Sequence, residues 1–405
     1  MAFKEISEEF AEARKDEYTK EQTKKYALDL IKEEKIIKAE ERRQKQLEKA
    51  NKPHEEEKIK VAGFIKDGKP VEMVWNPETK KSTFVFLKDG QIEFAEELDL
   101  YVPLDFTDEI LTKNVVSFAE KPEEYGTEIE LLNEIRVHIT KYLDVPDDYL
   151  TFVVYYVLMT WVFDRLNSVA YLRARGDTGT GKSRFLDVTG NCCYRRTQTS
   201  GTTSPAVIFR LAGKIHGTLI IDEADRKSSD TSDEVVKILN QGFERGRPVT
   251  RCATDNPDSI EVHDVFCPKI ISSRYEFYDK ALESRCLTHI MKSTTRDIPF
   301  VLGSEYEKES KALRNKLLMY RLRNWDKINP ETINEINLQE LTVEPRIKQI
   351  ACCIFPLLHD DASKTEFFRF IEEHNRKIIE ERAESLEGQI INVLVTLWEG
   401  SNQKE

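Results

Sequence analysis

The sequence predicts an α/β fold: a mainly parallel sheet flanked by helices, with a helical lid after it and a small β module and a charged helix before it. Three observations predict this. Val169–Arg175 reads as a strand that runs straight into the glycine-rich stretch Gly176–Ser183, with a helix after it. A second apolar strand, Thr218–Ile221, ends on two acids, Asp222 and Glu223. Between about residues 169 and 300, short apolar strands alternate with helical stretches, as in a sheet covered on both faces.

The elements follow in order. Residues 1–60 carry 16 Lys/Arg and 16 Asp/Glu, with apolar positions such as Leu28, Ile31 and Ile36 too sparse for a heptad seam, so a largely solvated helical arm is expected. Residues 61–105 change to short β-type runs, Val61–Ile65, Val71–Trp75, Thr83–Leu87 and Ile92–Phe94, with Asp67-Gly68 and Asp89-Gly90 placed as hairpin turns. Residues 106–168 read as helices leading to an apolar run, Tyr149–Phe163, which is short for a bilayer span and is closed by Asp164 and Arg165, so a buried helix is expected. The core of the fold is expected over 169–300. Residues 301–405 read as a helical lid and the start of a C-terminal winged-helix unit, with helices at Ser310–Asn324, Pro345–His359, Lys364–Ala383 and Leu386–Trp398.

Composition narrows the class. The chain has 405 residues, 40% hydrophobic and 33% charged, with a net charge of -12. That balance argues against a generally basic nucleic-acid coat protein, while leaving room for local basic contacts. The seven cysteines include no Cys-x-x-Cys, which fits reduced thiols in a cytoplasmic protein. Met1–Lys25 is charged throughout and has no apolar core, so no signal peptide is expected there.

The stretch Gly176-Asp177-Thr178-Gly179-Thr180-Gly181-Lys182-Ser183 has the spacing of a phosphate-binding loop. Its glycines let backbone N–H groups turn inward around phosphate oxygens, and the following helix points its positive end at the same anion. Lys182 suits the β- and γ-phosphates of ATP, and Ser183 suits Mg²⁺. Asp222, 40 residues after Lys182, suits Mg²⁺ coordination, and Glu223 suits polarising an attacking water. Residues Asp222–Asp225 also spell the signature of DEAD-box RNA helicases, but no second RecA-like domain fits between Asp225 and Glu405.

Over 149–290 the chain resembles the P-loop ATPase domain, of AAA+ and superfamily 3 helicase type, in primase–helicase and replication proteins of plasmids, phages and integrated elements. Thr160–Val162 before the glycine loop, Gly181–Leu186, and the series Ile238–Cys252, Val265–Lys269 and Leu282–Arg285 carry the resemblance. It implies a serine at a strand end (Ser272 or Ser273) touching the γ-phosphate and lytic water. It implies Arg285 as an arginine finger for the neighbouring subunit, with Arg274 as the alternative. Arg346, in the lid, is the counterpart of an arginine that closes on the γ-phosphate. A ring-forming homo-oligomer, a hexamer, and single-stranded or forked DNA as partner are implied too. The hairpin Pro248–Ala253 with Ser259–Val265 would face the channel, and Arg245, Arg247 and Arg251 are the candidate phosphate contacts. Its turn, Thr254–Asp258, is acidic, a departure from a DNA-gripping tip. Two functions follow: a DNA helicase or translocase in mobile-element replication, or a non-translocating AAA+ switch acting on a protein partner through residues 1–60. No membrane partner is expected.

Overall fold

A computed structural model describes residues 58–104, 113–224, 230–252, 259–331 and 342–384, with residues 37, 38, 40, 389–391, 393–395 and 398. The chain divides into two units, Met1–Lys58 and Ile59–Glu405. The charged arm expected at 1–60 and the helix expected at Leu386–Trp398 lie largely outside the described residues.

The second unit opens with β1 (Ile59–Val61), β2 (Gly63–Lys66), β3 (Lys69–Asn76), β4 (Lys81–Lys88), β5 (Gln91–Ala95) and β6 (Tyr101–Pro103). Strands β2 to β5 form a four-stranded antiparallel sheet, and β1 pairs with β6. Asp67-Gly68 and Asp89-Gly90 close two of its hairpins with positive φ at both positions (50° and 74°, 50° and 80°). That double left-handed turn matches the twist of the flanking strands, which is why Asp-Gly marks it in the sequence. Alternation along β3 and β4 then sends Val71, Met73 and Phe84 into a small core with Leu104, Val116 and Phe118. Val74 and Val85 point the other way, into the main core.

The remaining elements are β7 (Val116–Ser117), α1 (Glu128–Tyr142), α2 (Asp147–Thr160), β8 (Tyr171–Arg175), α3 (Lys182–Gly190), β9 (Arg196–Ser200), α4 (Pro205–Ile215), β10 (Leu219–Asp222), α5 (Asp230–Gln241), β11 (Val249–Cys252), β12 (Ile260–His263), β13 (Lys269–Ser273), α6 (Lys280–Glu283), β14 (Cys286–Ile290), α7 (Ser304–Asn324), α8 (Pro345–Ala351) and α9 (Asp361–Glu384). Six strands make the main sheet in the order β14-β8-β13-β10-β9-β7. All its pairs are parallel except β7 with β9. The fold is therefore a mixed α/β structure with a largely parallel sheet. Strand β7 arises inside the stretch expected to be helical, because two residues leave no periodic signal to read.

Helix α1 starts at a capping box in which Thr127 and Glu130 satisfy each other's backbone N–H groups. Every residue of α2 from Tyr149 to Thr160 is buried, as expected for a core helix. No described helix is long and apolar enough to cross a membrane. Of the helices expected in a lid, α7 lies against α1, β3 and β4, and α9 lies against α2. The α9–α2 contact is aromatic, with Phe152 and Phe370 rings stacked at 5.3 Å.

A buried ion cluster joins the small sheet to the main domain. Glu72 of β3 accepts from Arg195 Nη2 at 2.7 Å, Arg321 Nε at 2.6 Å and the Tyr194 hydroxyl at 2.7 Å. Arg321 also holds both carboxylate oxygens of Asp164, at 2.7 Å each, and Trp325 donates to the same carboxylate. Glu72, Arg195 and Arg321 are buried and Asp164 is partly exposed, so two acids and two guanidinium groups neutralise one another, the condition for burying any of them.

Candidate nucleotide site

Strand β8 delivers the chain at Arg175, and α3 begins at Lys182, so the glycine stretch forms the turn between them. Gly179 and Gly181 have φ of 84° and 91°, a conformation that side chains strain to adopt. The first intrahelical bond of α3 runs from Phe185 N to Gly181 O at 2.9 Å. The N–H groups of Lys182, Ser183 and Arg184 precede it and have no intrahelical acceptor, which is how a helix start presents donors to an anion. Lys182 Nζ donates to the Gly176 and Asp177 carbonyls at 2.6 and 2.7 Å, so its ammonium lies across the loop.

The parallel pairing of β10 with β13, and of β13 with β8, brings the acidic strand end to this turn. Ser183 Oγ donates to Asp222 Oδ2 at 3.1 Å. The other oxygen, Oδ1, accepts from Ser272 Oγ and from the Glu223 N–H at 3.0 Å. Glu223 N also lies 2.8 Å from Ser272 Oγ. Glu223 is exposed and has a φ of 54°. A non-glycine residue held there costs free energy, of order 1–3 kcal/mol, and such strain collects at working sites. Gly201 must be a glycine for it: a Cβ there would stand 2.4 Å from the Glu223 carbonyl oxygen.

Of the two serines at the end of β13, Ser272 is the one that touches Asp222 and Glu223. Ser273 is buried with its hydroxyl unpartnered, and its carbonyl accepts from Gly176 N at 3.2 Å. Adjacent residues of a strand point to opposite faces, so one of the pair had to turn away.

The chemistry of this donor set fits a magnesium nucleotide. Ser183 and one free lone-pair direction of Asp222 offer hard oxygen ligands, and Mg²⁺ takes few protein ligands and completes its octahedron with phosphate oxygens and water. Among the described residues, no group of three or more His, Cys, Asp or Glu side chains could hold a metal by itself.

The other expected site residues lie elsewhere. Arg285 immediately precedes β14, whose first residue pairs with Tyr171 and whose last pairs with Arg175. It is therefore about 16 Å, five residues of strand, from the glycine turn. It is 8% exposed, its Nε has no partner, and it stacks 5.3 Å from the Phe243 ring. Arg346 stacks on the same ring at 5.7 Å. Burial first, and then the neighbouring Arg346, disfavour the charge on Arg285. Arg346, expected to close on a γ-phosphate, sits beside Arg285 at the Phe243 ring, toward the end of β14 away from the glycine turn.

The hairpin forms as expected, with Val249 opposite His263 and Cys252 opposite Ile260. The turn Thr254–Asp258 lies outside the described residues. The three arginines do not make a free basic strip. Arg245 donates to the Leu166 and Asp164 carbonyls and covers Phe266. Arg251 pairs with Glu234 and stacks on Phe209, and Arg247, 60% exposed, pairs with Glu244. Sequence reading counted their charge but had no signal for these partners. It also had none for Arg184 or Met291, which flank the loop: Arg184 donates to the Pro299 and Phe300 carbonyls, and Met291 Cε comes within 3.7 Å of a Cβ placed on Gly181.

No family model matches the chain, and no curated protein matches it. Solved structures do. One is described as "SCCmec type IV Cch - active helicase", with 12% identity and a TM-score of 0.45, covering 83% of this chain and 62% of that one. The NrS-1 C-terminal region matches at 11% identity and a TM-score of 0.32, covering 73% and 60%. JCV helicase matches at 12% identity and a TM-score of 0.28, covering 57% and 66%. The chain thus spans less than two thirds of the length of each of these proteins.

Proposed function

We propose that this chain is a magnesium-dependent ATPase of the AAA+ and superfamily 3 type, working as an oligomeric DNA helicase or translocase in the replication of a mobile element. The observation that carries the ATPase reading is the hydrogen bond from Ser183 to Asp222, with Ser272 and the Glu223 N–H on the other oxygen of the same carboxylate. In this reading the turn 176–183 wraps the triphosphate. Lys182 moves from the loop carbonyls to the β- and γ-phosphates. Ser183 and Asp222 hold Mg²⁺, which supplies neutralisation of phosphate charge when bound. Glu223 orients the attacking water and accepts its proton, and Ser272 fixes the angle between the two acids.

Arg285 and Arg346 cannot serve their own loop at a strand's length, so they are assigned to the triphosphate of an adjacent copy. Two guanidinium groups side by side on one aromatic ring suit an anion brought from outside. That assignment supports a head-to-tail assembly, for which a hexameric ring is the expected form.

The test is the ATP hydrolysis rate of the full chain with and without single-stranded DNA, at low and high salt, with Lys182→Ala as the inactive control. Stimulation by DNA that fades with salt is expected. Retained hydrolysis in Lys182→Ala refutes the loop assignment, and a flat response to DNA refutes translocation.

A second reading is favoured by a specific observation: Arg245 and Arg251 are committed to internal partners, and the outward side of the hairpin carries Thr250, Cys252, Ile260 and Val262. A surface of that kind suits a non-translocating switch that acts on a protein. Capture of one stoichiometric partner that is lost on deleting residues 1–60 supports it, and ATPase stimulation by DNA alone counts against it.

A further inference from the structure

The segment between β14 and α7 is a strap tied down at several points. Thr294 Oγ1 donates to Asp144 Oδ2 at 2.7 Å, and Arg296 donates to the Thr140 carbonyl at 3.0 Å and pairs with Asp144. Further along, Arg184 donates from Nη1 to the Pro299 carbonyl and the Tyr142 carbonyl, and from Nη2 to the Phe300 carbonyl. These bonds fix the backbone of the strap. They do nothing for the ring of Phe300, which is 96% exposed, beside Val301 at 77%. An anchored backbone that holds a large apolar side chain in water forgoes the burial that such a side chain normally supplies.

The position of the anchor tells what the ring is for. Arg184 directly follows Ser183 and is the third residue of α3, so its N–H is one of the free donors at the helix start. One residue therefore faces the phosphate site with its backbone and grips Phe300 with its side chain. The strap therefore runs beside this helix start, and Met291, where it begins, borders the glycine turn itself. Apolar, flat and carried on a backbone anchored there, the Phe300 ring matches the face of a nucleobase.

We propose that Phe300 is the base platform of the nucleotide site and that Arg184 is the positioning residue that sets its distance from the phosphates. This rests on the phosphate-loop reading and adds what that reading lacks, a contact that distinguishes a nucleoside triphosphate from a bare polyphosphate. The test is calorimetric titration of the full chain with ATP and with inorganic tripolyphosphate, both with Mg²⁺, in the wild type, Phe300→Ala and Phe300→Tyr. ATP is expected to bind the wild type more tightly than tripolyphosphate. Phe300→Ala is expected to weaken ATP by about tenfold and leave tripolyphosphate unchanged, with Phe300→Tyr close to the wild type. An unchanged ATP affinity in Phe300→Ala, or an equal loss for both ligands, overturns the platform while leaving the loop in place. Failure of the wild type to bind either ligand overturns the loop reading and the platform with it.

Discussion

Replacing Glu72 by Gln keeps the shape of the side chain and removes the charge at the centre of the buried ion cluster. Three donors lose their carboxylate: Arg195, Arg321 and Tyr194. Arg321 keeps Asp164, whereas Arg195 keeps the Ile215 and Ala62 carbonyls and no acid in this cluster. Breaking a buried pair from one side costs about 3–5 kcal/mol, and the surviving Asp164 contact places this case near about 3 kcal/mol. Unfolding entropy of about 2 cal/mol/K per residue, over roughly 350 residues, gives about 0.7 kcal/mol/K, so Tm is expected to fall by about 4 °C. Scanning calorimetry at neutral pH measures it. The double variant Glu72→Gln/Arg195→Met removes the stranded cation as well, and is expected to lose less than the two single variants together. A fall in Tm below about 1 °C, or strictly additive losses, would refute the claim that these charges are mutually dependent.

Other outcomes follow from the site and the core. Ser272→Ala should lower the ATP turnover rate by about ten- to a hundredfold, the usual effect of removing a group that orients a catalytic or metal-binding side chain; Ser273→Ala should change it by less than threefold, and the reverse order in steady-state rates would reassign the pair. Arg285→Ala and Glu223→Gln should each be inactive alone and regain turnover when mixed, because a mixed assembly contains junctions with one intact site; mixtures that stay inactive at every ratio count against action between copies. Burial pushes His138, His289 and His374 down to about 4, so the unfolded chain binds protons more readily than the folded one between pH 6.5 and pH 4. Stability should therefore fall as pH drops through that window, by up to about 1.4 kcal/mol per pH unit for each histidine. His374→Phe, beside Phe370, should reduce the slope of Tm against pH, and a Tm that is flat from pH 7 to 5 would exclude the effect.

Much of the site was legible because its signals are local. The glycine turn needs residues that accept positive φ, and the acids need a strand end; both are written in consecutive residues. The hairpin strands and the start of α8 at Pro345 were legible for the same reason. What could not be read were relations between distant residues. Which of Ser272 and Ser273 meets Asp222 depends on which face of β13 looks toward β10. The roles of Arg245 and Arg251 depend on carbonyls and an acid far away in sequence, since charge alone does not announce its partner. In sequence Glu72 is one polar position in a β-type run, and only packing against Arg195 and Arg321 makes it buried. Strand β7 has two residues, too few for any periodicity to register.

Parallel strands give a sheet a head and a tail, and here the glycine turn proposed to receive phosphate and the Arg285–Arg346 pair lie toward opposite ends of β8 and β14. Under the proposed assignment one polypeptide would carry half of two different junctions and the whole of none. Copies joined through such halves must all point the same way around, since a two-fold pair would match turn with turn or arginine with arginine. Growth by that rule either closes on itself or runs on as a filament, and the angle between successive copies alone decides which.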